Sequence, residues 1–248
     1  MMKRFREKIV VVTGAGLETG RATAIRFANE GAHVVLVGST LDTLKATAEE
    51  LPKDHTWIHT DDYLTIACDS SDKAQVEEMI KRVIDRFNKI DIVVNNIEII
   101  TQNTSTVLSH SDWLFAIEAK LSNIAHICQT AMPHLIASQG NIINVSSLSE
   151  VSDDSKATAD DATKVGITTL TRTLALRHGA NGIRVNAVNP SLTTADISLA
   201  CYPLGRLATP KDIAAAVTFL ASDDAAMITG VNLPVDGGMH AVSPPPEL

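Results

Sequence analysis

The sequence predicts an α/β protein with a doubly wound parallel sheet, and three observations support this prediction. Seven short runs are rich in β-branched residues and are apolar at successive positions, which is typical of strands buried on both faces of a parallel sheet. Amphipathic segments alternate with these runs. No linker, repeat or change of composition divides the 248 residues. We therefore expect one Rossmann-like domain over residues 1–248, with seven strands flanked by helices.

The elements follow one another in strict alternation. The predicted strands cover residues 9–12, 33–37, 64–68, 90–94, 141–145, 183–188 and 231–235. The predicted helices cover residues 20–29, 73–87, 111–137, 161–178 and 210–221. In the second of these helices the apolar residues recur at spacings of three and four, and the last helix has Pro210 at its start. The proline-rich tail, residues 243–248, is expected to be irregular.

Composition excludes several classes of protein. The 21 Lys and Arg against 29 Asp and Glu give a net charge of −8 without a basic stripe, so we expect no nucleic-acid partner. No apolar run approaches the roughly 18 residues of a membrane span, and the N-terminus lacks a signal-peptide pattern. Cys68, Cys128 and Cys201 have neither disulfide nor zinc spacing. These features predict a cytoplasmic protein without membrane contact.

A metal site is not expected either. His55 and His59 are four residues apart and precede Asp61 and Asp62, a set of potential ligands. The stretch is polar and lacks helical periodicity, so we interpret it as a solvated loop.

The first strand leads into a turn that contains glycine. Residues 10–20 form a strand, a turn with Gly14 and Gly20, and a helix start. Such turns bind the pyrophosphate of a dinucleotide, because backbone N–H groups at a helix N-terminus face the anion. The alternative is a tight βα connection without a ligand.

Further segments along the whole chain resemble the motifs of one known family. Thr13-Gly14 with Gly20, Asp69 after the third strand, and Asn95-Asn96 resemble motifs of the short-chain dehydrogenase/reductase family. Similar segments are residues 144–147, 184–190, 204–206, 219–222 and 234–238. The resemblance implies a Rossmann fold, an NAD(P) cofactor, hydride transfer at a carbinol carbon, and a dimer or tetramer. Among subgroups, the chain is most similar to butanediol-type and 3-hydroxyacyl-type dehydrogenases.

The residues that the family uses for proton transfer are only partly present. The resemblance places the catalytic Ser at Ser147, the Lys at Lys164, and the general acid/base Tyr at Asp160. An Asp with a pKa near 3.9 is a poor acid at neutral pH, and an adjacent Lys lowers that pKa further. The fourth member, an Asn, is replaced by Lys120, which has donors only. We therefore expect these four positions to be vestigial.

The cofactor positions depart from the family pattern as well. Glu18 replaces the middle glycine of the phosphate turn, and Glu98 replaces the glycine that follows Asn95-Asn96. A carboxylate beside a phosphate costs affinity, although Glu18 suits a helix N-terminus. Gly38 and its neighbours carry neither the acid typical of NAD binding nor the bases typical of NADP binding. Ala195 replaces a Thr of the family pattern. Gly14, Gly20, Asp69 and Asn95 match the family.

Three functions remain open. The first is a non-catalytic subunit that binds no cofactor and forms a heterotetramer with a catalytically intact paralogue holding NAD(H), with a homo-oligomer as the alternative assembly. The family contains such active–inactive pairs, as in the dehydrogenase of 2-[hydroxy(phenyl)methyl]-succinyl-CoA. The second is an active NAD(P)-dependent oxidoreductase with atypical residues. The third is a pseudoenzyme that senses a ligand in the old cleft.

Overall fold

The computed structural model describes residues 3–52, 63–96, 109–146, 158–191, 199 and 202–241. Within them, seven strands form one parallel sheet in the order β3-β2-β1-β4-β5-β6-β7. The strands are β1 (Ile9–Val12), β2 (His33–Gly38), β3 (Tyr63–Ala67), β4 (Ile92–Asn95), β5 (Asn141–Val145), β6 (Arg184–Pro190) and β7 (Asn232–Val235). This sheet confirms the predicted doubly wound fold. Its direction of winding reverses between β1 and β4, and ligands bind at the carboxyl ends of strands beside such a reversal.

Helices connect the strands. They are α1 (Glu18–Asn29), α2 (Leu41–Glu49), α3 (Lys73–Phe87), α4 (His110–Ile117), α5 (Asn123–Ser138), α6 (Thr158–His178) and α7 (Pro210–Ala221). Asp72 caps α3 through its side chain, which accepts hydrogen bonds from the backbone N–H groups of Ala74 and Gln75. Thr209 and Asp212 form a capping box at the start of α7.

Each face of the sheet is covered by its own hydrophobic core. Val11 contributes to the core that contains α3, α5 and α6, whereas its neighbours Val10 and Val12 contribute to the core that contains α1, α2 and α7. Successive side chains of a strand point to opposite faces, so a strand between two cores needs apolar residues at every position. The strand segments were predictable for this reason.

Two features differ from the prediction. The sequence analysis did not predict α2, whose buried face holds only Leu44, Thr47 and Ala48. The predicted helix 111–137 is interrupted by a π-helical segment, Glu118–Ser122, which separates α4 from α5. Such segments occur frequently at functional sites. No helix in the described part of the chain is both long and apolar enough to span a bilayer. The predicted irregular tail lies outside the described residues.

Candidate nucleotide-binding cleft

A cavity of about 370 Å³ opens at the carboxyl ends of β1, β2 and β3, beside the point where the sheet reverses. Its volume falls within the roughly 300–1,000 Å³ of small-molecule sites. The turn after β1, the start of α2, the segment after β3 and one side of α5 all contribute residues to its wall. The glycine turn therefore borders this cavity.

The glycine turn is closed by tight backbone contacts. Gly14 has a φ of +62°, and a Cβ there would lie 2.0 Å from the carbonyl oxygen of Asn96. A Cβ on Gly20 would lie 2.0 Å from the carbonyl oxygen of Gly14. The backbone N–H of Asn96 donates to Thr13 Oγ1 at 2.9 Å, which ties β4 to the turn. Both positions thus require glycine, in agreement with the family pattern.

Glu18 occupies a strained position at the start of α1. Its φ is +28°, in the region that favours glycine, and it is the residue that replaces the middle glycine of the family pattern. Its side chain is exposed and does not line the described part of the cavity, whereas the preceding Gly16 and Leu17 do. Glu18 therefore follows two wall residues in the sequence without being one of them.

The part of the wall that follows β2 is neutral. Gly38 ends β2, and the hydroxyl residues Ser39, Thr40 and Thr43 follow it in the cavity wall. Thr43 also limits the space around Gly16, because a Cβ on that glycine would lie 2.3 Å from Thr43 Oγ1. None of these residues is the acid that the family's NAD-binding members carry after the second strand.

Asp69 lies in the wall after β3. Its Oδ1 accepts hydrogen bonds from the backbone N–H of Ser71, at 2.9 Å, and from Ser71 Oγ, at 2.7 Å. Burial, together with the nearby carboxylates of Asp69 and Asp72, raises the pKa of Cys68 to about 11, so this thiol is neutral at pH 7. Asp69 is then the single charged side chain among the described residues of the wall.

Two of the positions that the resemblance assigns to proton transfer, Lys164 and Lys120, are described in the structure. Lys164 is buried in α6, and Lys120 is half-buried in the π-helical segment. The two elements are in contact, since a Cβ on Gly166 would lie 2.8 Å from Leu121 Cδ2. The backbone of Asp160 belongs to α6, but its side chain lies outside the described part of the structure, as do Ser147, Glu98 and Ala195.

Asn95 belongs to a buried polar network that joins two strands to two helices. Its Nδ2 donates to Asn144 Oδ1 at 2.9 Å and to Cys128 Sγ at 3.3 Å. Asn144 Nδ2 in turn donates to Thr171 Oγ1 at 2.9 Å. Asn95 therefore joins β4 and β5 to α5 and α6 and does not line the cavity.

Some cavity residues were missed by the sequence analysis. Asn123 lies at the start of α5, is buried, and donates through Nδ2 to Ser70 Oγ at 3.3 Å. One signal pointed to it: this polar residue shares a helix face with Ile127 and Ala131 at spacings of four. Thr43 gave no signal, because α2 itself was not predicted.

The structure shows no cluster of three or more potential metal ligands among its described residues. His55, His59, Asp61 and Asp62 lie outside those residues, so the interpretation of this stretch as a solvated loop stays a prediction.

The chain is similar to known proteins over nearly its whole length. Residues 15–240 match a family model described as enoyl-(acyl carrier protein) reductase. Meso-2,3-butanediol dehydrogenase of Serratia marcescens is 35% identical over 257 residues, with 99% of each chain covered. The BbsD subunit of (2S)-[(R)-hydroxy(phenyl)methyl]succinyl-CoA dehydrogenase of Thauera aromatica is 32% identical, over 94% of this chain and 96% of that one. Apo glucose dehydrogenase of Caenorhabditis elegans superposes with a TM-score of 0.85 at 29% identity, over 96% of this chain and 100% of that one.

Proposed function

Since the chain belongs to the short-chain dehydrogenase/reductase family, we propose that it is a non-catalytic subunit that supports an active paralogue. The observation that carries the proposal is the missing phenol. Asp160 occupies the position of the family's general acid/base Tyr, and the chain has only two tyrosines, Tyr63 and Tyr202. A subunit without this group lacks the proton donor and acceptor for the carbinol oxygen.

Neither tyrosine occupies the sequence position of the missing phenol. Tyr63 is the first residue of β3, so four residues, about 13 Å of strand, separate it from the end that borders the cleft. Tyr202 is buried in a small cluster with Met239 and Leu207, near the segment after β7. Direct proton transfer requires hydrogen-bonding distance to the reacting oxygen. The positions of both residues support a non-catalytic role.

Exposed apolar residues on neighbouring helices support a role in assembly. Leu114 and Phe115 on α4 and Val165 on α6 are 44%, 61% and 55% exposed, and α4 packs against α6. Uncovered apolar groups on adjacent helices are typical of protein interfaces. We expect this face to pair with a paralogue that has the intact Ser, Tyr, Lys and Asn set and holds NAD(H). The proposed assembly is a heterotetramer in the cytoplasm. A relative supports it, because BbsD is by name a subunit of a dehydrogenase.

Co-expression tests the assembly. The tagged chain is produced together with a short-chain dehydrogenase/reductase paralogue from the same genome that has the intact catalytic set. We expect the two to co-elute as one particle, and Val165→Glu to release the paralogue. Ala46→Glu is a matched control, because it adds the same charge at an exposed position of α2, which packs on the other face of the sheet from α6. A wild-type chain that forms a stable homotetramer and does not bind the paralogue would contradict the heteromeric assembly.

An active oxidoreductase with atypical residues is the second candidate. It is favoured by the glycine turn, in which Gly14, Gly20 and Asn96 retain the close contacts of a nucleotide-binding connection. When bound, an NAD(P) cofactor would supply hydride transfer, and Gly14, Gly16 and Asp69 would border its adenosine half. This candidate predicts nucleotide-dependent turnover by the isolated chain, which the first does not.

A further inference from the structure

A buried carboxylate organises the turn that follows β7. Asp236 is 3% exposed, and the backbone N–H of Gly238 donates to its Oδ1 at 3.0 Å. The backbone N–H of His240 donates to Oδ2 at 2.7 Å, and His240 Nδ1 lies 2.7 Å from the same oxygen. An ionised carboxylate only accepts, so Nδ1 carries the proton of this bond. Asp236 thus caps the short 3₁₀ turn Met239–Ala241 and orients the imidazole.

The turn is joined to the stretch of chain that leads into α7, residues 202–207, which we call the pre-α7 segment. The backbone N–H of Leu204 donates to the carbonyl oxygen of Gly237 at 3.1 Å. Met239 is buried in a hydrophobic cluster with Tyr202, the first residue of the segment. A backbone hydrogen bond and an apolar contact therefore link the two parts of the chain, so whatever fixes the turn also fixes the pre-α7 segment.

The carboxylate of Asp236 stays ionised at neutral pH. Burial opposes its ionisation, but hydrogen bonds from the backbone and the ring of His240 and from the backbone of Gly238 outweigh burial and hold the pKa of Asp236 below the ordinary 3.8. Imidazole groups, in contrast, exchange their second proton between roughly pH 5 and pH 8. The side chain of His240 is 45% exposed, so its ring is open to protons from the solvent.

The elements packed against this turn contribute charged groups of a different kind. The pre-α7 segment carries Arg206 and Tyr202, and guanidinium and phenol groups titrate only at about pH 10 or above. Arg206 donates to Asp212 at 2.6 and 2.9 Å, and these bonds hold the pKa of that carboxyl far below its usual range. The end of β6 contributes the neutral Ser191, whose backbone N–H donates to the end of β7.

We propose that Asp236 and His240 form a pH-sensitive clasp, which tightens when the imidazole takes up a proton and then holds the pre-α7 segment more firmly against the turn after β7. The neutral imidazole donates one ordinary hydrogen bond to the carboxylate. Protonation turns this bond into an ion pair, and hydrogen bonds between charged groups are roughly twice as strong as neutral ones. The clasp lies beside β7, the edge strand of the sheet, and it depends on neither the catalysis nor the assembly discussed above.

Amide hydrogen exchange of the purified full chain tests the proposal, because it reports local opening. Protection of the backbone amides of Gly238 and Leu204 is measured at about pH 5.5 and about pH 8, and is corrected for the intrinsic pH dependence of exchange. We expect protection of both amides to be at least about threefold greater at the lower pH. Equal protection at the two pH values, or weaker protection in acid, would overturn the proposal.

His240→Gln and Asp236→Asn test which groups carry the response. The first variant keeps a neutral donor and the second keeps a neutral acceptor, so each retains hydrogen-bonding capacity and removes one charge. Both should abolish the difference in protection between the two pH values. His110→Gln is the matched control, because it removes another exposed histidine, at the start of α4, and should leave the difference unchanged. A response of wild-type size in His240→Gln or in Asp236→Asn would refute the clasp.

Discussion

The glycine turn and the region of α6 with the adjacent π-helical segment match the family to different degrees. Around Gly14 and Gly20 the backbone of one strand lies against the turn of another, and any side chain would collide with main-chain atoms. At Lys120 and Asp160 the replacements suit their helices, since Lys is a good helix former and Asp160 lies in the first turn of α6, where an acid is favourable. The comparison teaches that packing demands glycine in the turn, whereas only chemistry demands the phenol and the amide.

The turn should be the more sensitive region to mutation. A Cβ on Gly20 would lie 2.0 Å from the carbonyl oxygen of Gly14, which cannot move without breaking the turn. We expect Gly20→Ala to lower the free energy of unfolding by about 3 kcal/mol or more. Urea denaturation of wild type and variant measures the difference. Gly179→Ala is the control, because no atom lies within 4 Å of its added Cβ and the cost should be close to zero.

The chemical region should respond to restoration of the family residues. A triple variant carries Glu18→Gly, Lys120→Asn and Asp160→Tyr. These substitutions restore the family's glycine in the phosphate turn, its amide and its phenol. We expect this variant to oxidise 2,3-butanediol with NAD⁺ at a measurable rate that wild type does not show, because one general acid/base contributes about 100-fold or more. The control variant carries Asp160→Phe in place of Asp160→Tyr. It has the aromatic ring without the hydroxyl group and should remain inactive. Equal rates in the two triples would show that the missing phenol is not what limits this chain.

Away from the cleft, Glu30 makes stability depend on pH. Burial opposes its ionisation, but hydrogen bonds from Arg4, at 2.6 and 3.0 Å, and from Arg26 outweigh burial and lower its pKa below the ordinary 4.5. A lowered pKa stabilises the fold above pH 4.5, and this contribution is lost as the pH falls through the folded-state value.

We therefore expect Glu30→Gln to cost about 1–2 kcal/mol at pH 7, with the difference from wild type shrinking in acid. Denaturant titrations at a series of pH values check this. Glu49→Gln, at an exposed position of α2, should show neither effect. A constant difference between Glu30→Gln and wild type at every pH would exclude the ionised carboxylate as the cause.

The smallest effect concerns backbone strain beside the turn. Glu18 and Glu7 both have positive φ, at +28° and +63°, where glycine is favoured. Each Glu→Gly variant should raise the free energy of unfolding by about 0.5 kcal/mol, with relief of strain reduced by the greater freedom of the unfolded chain. Thermal unfolding of both variants measures this. A destabilised Glu18→Gly would mean that its side chain contributes more than its backbone costs.

The fold could be predicted from the sequence because the burial of each strand is visible in its own residues. Val10, Val11 and Val12 are apolar in succession since each faces one of two cores, and this pattern predicts the strand directly. The cleft is less predictable because its wall joins distant elements. Thr43 approaches Gly16 only through the tertiary structure, and the π-helical segment at Lys120 is a backbone feature without a distinctive residue pattern. The resemblance to the family supplied positions such as Asp69 that composition does not reveal.

Turnover by the purified chain alone tests the central claim most directly. With NAD⁺ and a panel of secondary alcohols, and no paralogue present, we expect no NADH formation above that of a buffer control. Sustained NADH formation at about 1 s⁻¹ or faster, the range of ordinary enzymes, would contradict the account and establish the chain as a dehydrogenase in its own right.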